Sequence, residues 1–156
     1  MVKDSDGATA ATYFAYAVKF GYLEVADAVA PFMIDIDIDF MYGRLKGYEM
    51  ACLAWMRYRE QFVKITNMLT ERRSVPPRCK MWAPYVDGIR SKLPMKVEGH
   101  LRLLRGASFT RLEMIFKENA YLLRGCPCGG CLEARINWSR DCKEALSTAK
   151  PFNSFL

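Results

Sequence analysis

The stretch GCPCGGC, residues 125–131, places three thiols within six positions and separates them almost entirely with proline and glycine. Glycine lets a backbone turn back on itself without a Cβ penalty, so several sulfurs can converge on one point. Written as spacing, the region is C-x-C-x2-C-x10-C, from Cys126 through Cys128 and Cys131 to Cys142. Four thiolates in a tetrahedron suit Zn2+, and a site closed by four protein sulfurs is structural, with no open position for water. The spacing therefore predicts a metal-stapled segment over residues 125–149.

The fourth ligand is the open point. In one unbroken helix Cys131 and Cys142 stand roughly 16 Å apart, too far to share one ion. They meet only if the chain folds back, and Ser139, with Asp141 after it, is placed to cap a fresh helix that carries Cys142 in its first turn. His100, the one histidine, and Cys79 are the competing fourth ligands. Three other readings stay open at this level: a C-x-x-C redox pair, an iron–sulfur cluster, and thiols with no joint role. Cys52 falls on an apolar helical face and reads as core.

Charge supplies a second constraint. The net charge is +6, unevenly spread: residues 1–41 hold 2 basic and 7 acidic side chains, leaving 21 basic and 10 acidic for the rest. A basic body with an acidic head points to a polyanionic partner, nucleic acid or an acidic protein, or to charge pairing within the chain. Candidate phosphate contacts are Arg72, Arg73, Arg78 and Lys80 around a stiff Pro-Pro turn, and Arg124, Arg135, Arg140 and Lys143 around the cysteines. Trp138 is a candidate stacking surface. The competing reading is a buried indole among solvated arginines.

With 156 residues, 51% of them hydrophobic and 13% aromatic, the chain is expected to form one globular domain over 1–156. No apolar run reaches the roughly 20 residues that a membrane span needs. The first residues lack the apolar core of a secretory signal, so an intracellular setting is expected. Thiols in a reducing compartment favour metal binding over disulfides.

Elements follow from periodicity. Residues 8–30 read as one alanine-rich helix or two short ones, with Gly21 as the weak point and Pro31 as the stop. The aromatic residues of this stretch form core or a face for homodimerisation. MIDIDIDF, residues 33–40, alternates strictly and reads as a strand, as does PMKVEGHLRLL around 95–104. Paired, they set an acidic face beside a basic one. Residues 43–72 and 83–93 read as helices, and Thr110–Glu113 as a capping box. The expected fold class is α+β, mostly helical, with a small sheet of 34–40 and 95–104 and a metal-stapled C-terminal segment.

The acidic strand carries its own chemistry. Carboxylates at i and i+2 share one face, about 7 Å apart, and such groups hold Mg2+ for phosphoryl transfer. MIDIDIDF resembles the hydrophobic-Asp-hydrophobic-Asp strand of nucleotide-polymerising enzymes, especially archaeo-eukaryotic-type primases. EGHLRLL around His100 is loosely similar to a later strand of that family, whose histidine contacts nucleotide phosphate. The resemblance implies Mg2+-dependent nucleotidyl transfer by Asp35 and Asp37, with Asp39 and His100 assisting. The other reading is a half-buried strand with a charge-paired outer face. No glycine-rich phosphate cradle follows a strand, and no H-E-x-x-H motif occurs.

The leading expectation is a basic, non-catalytic zinc-binding protein that meets nucleic acid or an acidic partner. Small viral accessory and regulatory factors share this kind of composition. The alternatives are the primase-like enzyme and an interaction module that dimerises through its N-terminal helix.

Overall fold

The computed structural model describes residues 5–70 and 79–156, and among them there is no β-strand. Among the described residues, eight α-helices and several short 3₁₀ turns pack around one contiguous apolar cluster. The expected α+β class is corrected to an all-helical fold.

Helix α1 (Ser5–Lys19) owes its stability to alanine, and its buried face (Ala10, Ala11, Phe14, Ala15 and Ala17) lets α2 (Leu23–Val29) approach closely. Gly21 ends α1 with φ +73°, and the amides of Gly21 and Tyr22 donate to the carbonyls of Val18 and Ala17. That pair of bonds is a Schellman stop, completed by Tyr22 stacking on Tyr16. Phe14 is core, whereas Tyr13, Tyr16, Phe20 and Tyr22 face outward.

The first predicted strand is absent for a local reason. Asp37 is the N-cap of α3 (Ile38–Arg44), its carboxylate accepting from the Phe40 amide at 3.0 Å. Aspartate caps helices well and is depleted in strands, and Asp39 in the first turn suits the helix dipole. The three isoleucines do not share a face: Ile34 is buried, Ile36 half-buried and Ile38 exposed. The second predicted strand is α6 (Val97–Leu103) with its flanks. Leu101 and Leu104 are buried three residues apart, while Met95, which the alternation would bury, is fully exposed.

Helix α4 (Glu49–Thr70) runs through the molecule and buries Trp55, Tyr58, Phe62, Ile65 and Leu69 at helical spacing. Arg59, on the same face, donates to the Ile34 carbonyl at 2.9 Å and pairs with Glu98 of α6. Helix α5 (Trp82–Lys92) buries Trp82, Tyr85, Val86 and Ile89. It approaches the 3₁₀ turn 119–123 so closely at Gly88 that a Cβ there would lie 2.7 Å from Asn119 Oδ1. Helix α7 (Thr110–Glu118) begins where predicted, but the capping box does not form. Glu113 pairs with Lys117, and Ser108 Oγ accepts from the Thr110 amide instead.

Helix α8 (Gly129–Ser147) is continuous, so the predicted break at Ser139 is overturned. Trp138 anchors it to α4 through an Nε1–H donated to the Met68 carbonyl at 2.9 Å. The C-terminal turn returns to α1 and α4: Phe152 is buried against Phe14 and Tyr58, and Gln61 exchanges two hydrogen bonds with Lys150.

Candidate metal centre

Four sulfurs converge, from two parts of the chain. Cys79 stands just before α5, Cys126 and Cys128 lie in the loop that follows the 3₁₀ turn 119–123, and Cys131 sits in the first turn of α8. The local chain makes this convergence cheap. Gly125 takes φ +75°, a left-handed turn suited to glycine, and aims the Cys126–Cys128 pair back toward α5. Cys128 is the N-cap of α8, extended at φ −94° and ψ 116°, and its carbonyl accepts from the Cys131 amide.

The Sγ–Sγ separations are 3.3 Å for Cys79–Cys126, 3.4 Å for Cys126–Cys128 and 3.1 Å for Cys128–Cys131. All four sulfurs lie within 4.8 Å of one another. A tetrahedral ion with Zn–S bonds of about 2.3 Å has sulfur edges of about 3.8 Å, inside that span. Cys131 is wholly buried and the other three are half-buried; the four are thiols, without disulfides. Hydrogen bonds from Cys131 first, then Cys126 and the Met81 backbone, lower the Cys79 thiol to about 6, while burial pushes Cys131 up.

Among the described residues this is the single group of three or more His, Cys, Asp or Glu side chains placed to hold a metal ion. The fourth sulfur comes from Cys79, the competing ligand, and not from Cys142. Because α8 is unbroken, Cys142 stands about 16 Å along the helix from Cys131, buried under the core. His100 is on α6, outside the cluster.

The acidic constellation does not assemble. The Asp35 side chain is buried and held by two arginines, Arg102 Nε at 3.2 Å and Arg105 Nε at 3.0 Å, while Asp37 is committed to its cap. Asp39 is exposed in the first turn of α3. With no strand, the three carboxylates lose the common face that Mg2+ binding required.

Of the predicted phosphate contacts, Arg72, Arg73 and Arg78 lie outside the described residues, and Lys80 is exposed beside Cys79. Trp138 is 1% exposed, enclosed by Trp82, Tyr85 and Phe116, and offers no stacking surface. Arg124, Arg135, Arg140 and Lys143 line two clefts that share Lys117 and Arg135, of about 310 and 490 Å³, between α8 and the α7 region. Arg140 pairs with Glu144 at 3.8 Å. Tyr121, 58% exposed on the second cleft, is the aromatic residue that sequence reasoning missed. Its place beside the arginines emerges only when the 3₁₀ turn 119–123 lies alongside α8.

No helix among the described residues is long and apolar enough to cross a membrane. Comparisons with protein-family models, with curated proteins and with solved structures return no match. The class defined by fold and site is an all-helical protein with a four-cysteine cluster suited to a metal ion.

Proposed function

We propose that the protein is a zinc-stapled helical binding module: Cys79, Cys126, Cys128 and Cys131 hold one structural Zn2+, and the adjoining basic clefts take nucleic acid. The observation that carries this reading is the convergence of four sulfurs from segments 47 residues apart, all within 4.8 Å. Such proximity suits a single ion better than an iron–sulfur cluster, whose thiolates are spread over several irons. Four thiolates around Zn2+ leave no open position for water, so the centre acts by holding α5 against the start of α8. The first turns of α8 border the clefts through Leu132 and Arg135, and Tyr121 with Arg124 and Arg135 combines an aromatic face with phosphate-binding cations.

Metal analysis of protein purified under reducing conditions is expected to give about one zinc per chain. Binding to a single-stranded oligonucleotide is expected to weaken steeply with salt, and Arg124→Ala with Arg135→Ala to reduce that slope. Protein without zinc ends the first half of the proposal. Salt-insensitive or absent oligonucleotide binding, with capture of an acidic polypeptide instead, ends the second.

A further inference from the structure

On the side of the acidic head, remote in sequence from the cysteines, lies a cavity of about 780 Å³. That volume is within the range of small-molecule sites. Its two walls differ. One, from α1, α2 and the turn 30–32, is mostly apolar and contributes Thr9, Ala10, Ala28, Val29, Phe32 and the ring of Tyr13. The other, from the end of α6 to the start of α7, contributes Leu103 and then Arg105, Ser108, Thr110 and Arg111.

Both charged residues in the lining are arginines. Arg105 is tied through two nitrogens to Asp35, a carboxylate that it shares with Arg102. Arg111 is exposed, and one of its N–H groups donates to the Arg102 carbonyl at 3.3 Å. A guanidinium carries five N–H donors, and a single carbonyl bond orients it without exhausting them. Phe32 and Tyr13, at the cavity, leave 51% and 62% of their surface in water. Gly106, at φ +74°, lets the Phe32 ring lie over the backbone, where a Cβ would come within 3.2 Å of it.

We propose that this cavity binds a small anionic amphiphile, an aliphatic carboxylate whose chain lies on Val29, Phe32 and Leu103 and whose headgroup meets Arg111. A carboxylate matches the planar fork of arginine, and the small side chains of Ala10 and Ala28 leave room for a chain along Val29, Phe32 and Leu103, with the hydroxyls of Ser108 and Thr110 on the side of the headgroup. Burying the exposed faces of Phe32 and Val29 provides the apolar driving force. The site is independent of the zinc proposal, being built from other helices.

The test is calorimetric titration of the whole protein with dodecanoate, dodecanol and adenosine monophosphate, each below any micellar concentration. Dodecanoate is expected to bind one to one, with dodecanol and the Arg111→Gln variant each weaker by about tenfold or more. Ala28→Trp, at an exposed position on α2, is expected to fill the cavity and abolish binding. Absence of dodecanoate binding, equal affinity for dodecanol, tighter binding of the nucleotide, or full binding by Ala28→Trp each overturns the proposal. If either variant loses its helical circular dichroism, the comparison of dodecanoate with dodecanol on the wild type decides.

Discussion

Cys79 and Cys126 are 47 residues apart in the chain, yet their sulfurs are 3.3 Å apart. Between them lie α5, α6 and α7, so an ion shared by these thiols closes a loop through nearly a third of the chain. Closing such a loop costs chain entropy that only folding, or metal binding coupled to folding, offsets.

The ligand set is separable by substitution. Cys79→Ser is expected to drop zinc content well below one per chain and to destabilise the fold by several kcal/mol, because a structural zinc site contributes its binding energy to folding. Cys142→Ser is expected to keep its zinc. Elemental analysis beside thermal melts, with and without a chelator, makes the comparison. Zinc lost from Cys142→Ser but kept by Cys79→Ser reverses the assignment.

The three acidic residues of the IDIDID run are expected to differ sharply. Asp35→Asn leaves Arg102 and Arg105 facing a buried amide and should cost about 3 kcal/mol or more. Asp37→Ala removes the α3 cap, for about 1 kcal/mol. Asp39→Asn, exposed in the first turn, should cost no more than about 0.5 kcal/mol. Urea denaturation of the three variants tests the order, and equal effects contradict it.

Trp138→Phe removes the bond to the Met68 carbonyl while keeping an aromatic ring among Trp82, Tyr85 and Phe116. The loss is expected at about 1–3 kcal/mol, from an orphaned carbonyl and a partly emptied site. Oligonucleotide affinity of the folded variant should stay at the wild-type level. A selective loss of affinity with intact stability would return the indole to the binding surface.

Alkaline pH should unfold the protein through Tyr58 and Tyr85. Burial raises both phenols, for Tyr58 with Asp27 adding to it and for Tyr85 against an opposing, lowering effect of Arg135. Their folded values thus lie above the unfolded value of about 10. The unfolded chain then releases protons first as pH rises, so this contribution is complete below pH 10 and is lost above it. Tyrosinate absorbance followed beside circular dichroism is expected to show a late fraction that titrates only as helix is lost. Ionisation of all eight tyrosines at once, with helix intact, would contradict the burial.

Much of the helical layout is legible without coordinates. The Gly21 stop and the span of α5 follow from short-range rules, and so does the tight packing of Cys126, Cys128 and Cys131. The misreadings share a cause. Alternation in IDIDID satisfies strand geometry, but a strand needs a partner, and Asp37 found a helix amide to cap instead. Val97, Leu101 and Leu104 carry the i, i+4, i+7 spacing of a helix, hidden beneath an equally good alternation.

What the amino-acid order determined alone is local: the stop at Gly21 and the start of α7, which three thiols are neighbours, and how charge divides between head and body. Only the tertiary structure decided that Cys79 supplies the fourth sulfur, that Cys142 and Trp138 are buried, and that Asp35 is held by Arg102 and Arg105. The physical reason is range. Spacing along a chain sets geometry within a turn or two, whereas contacts across tens of residues depend on which faces the whole core buries.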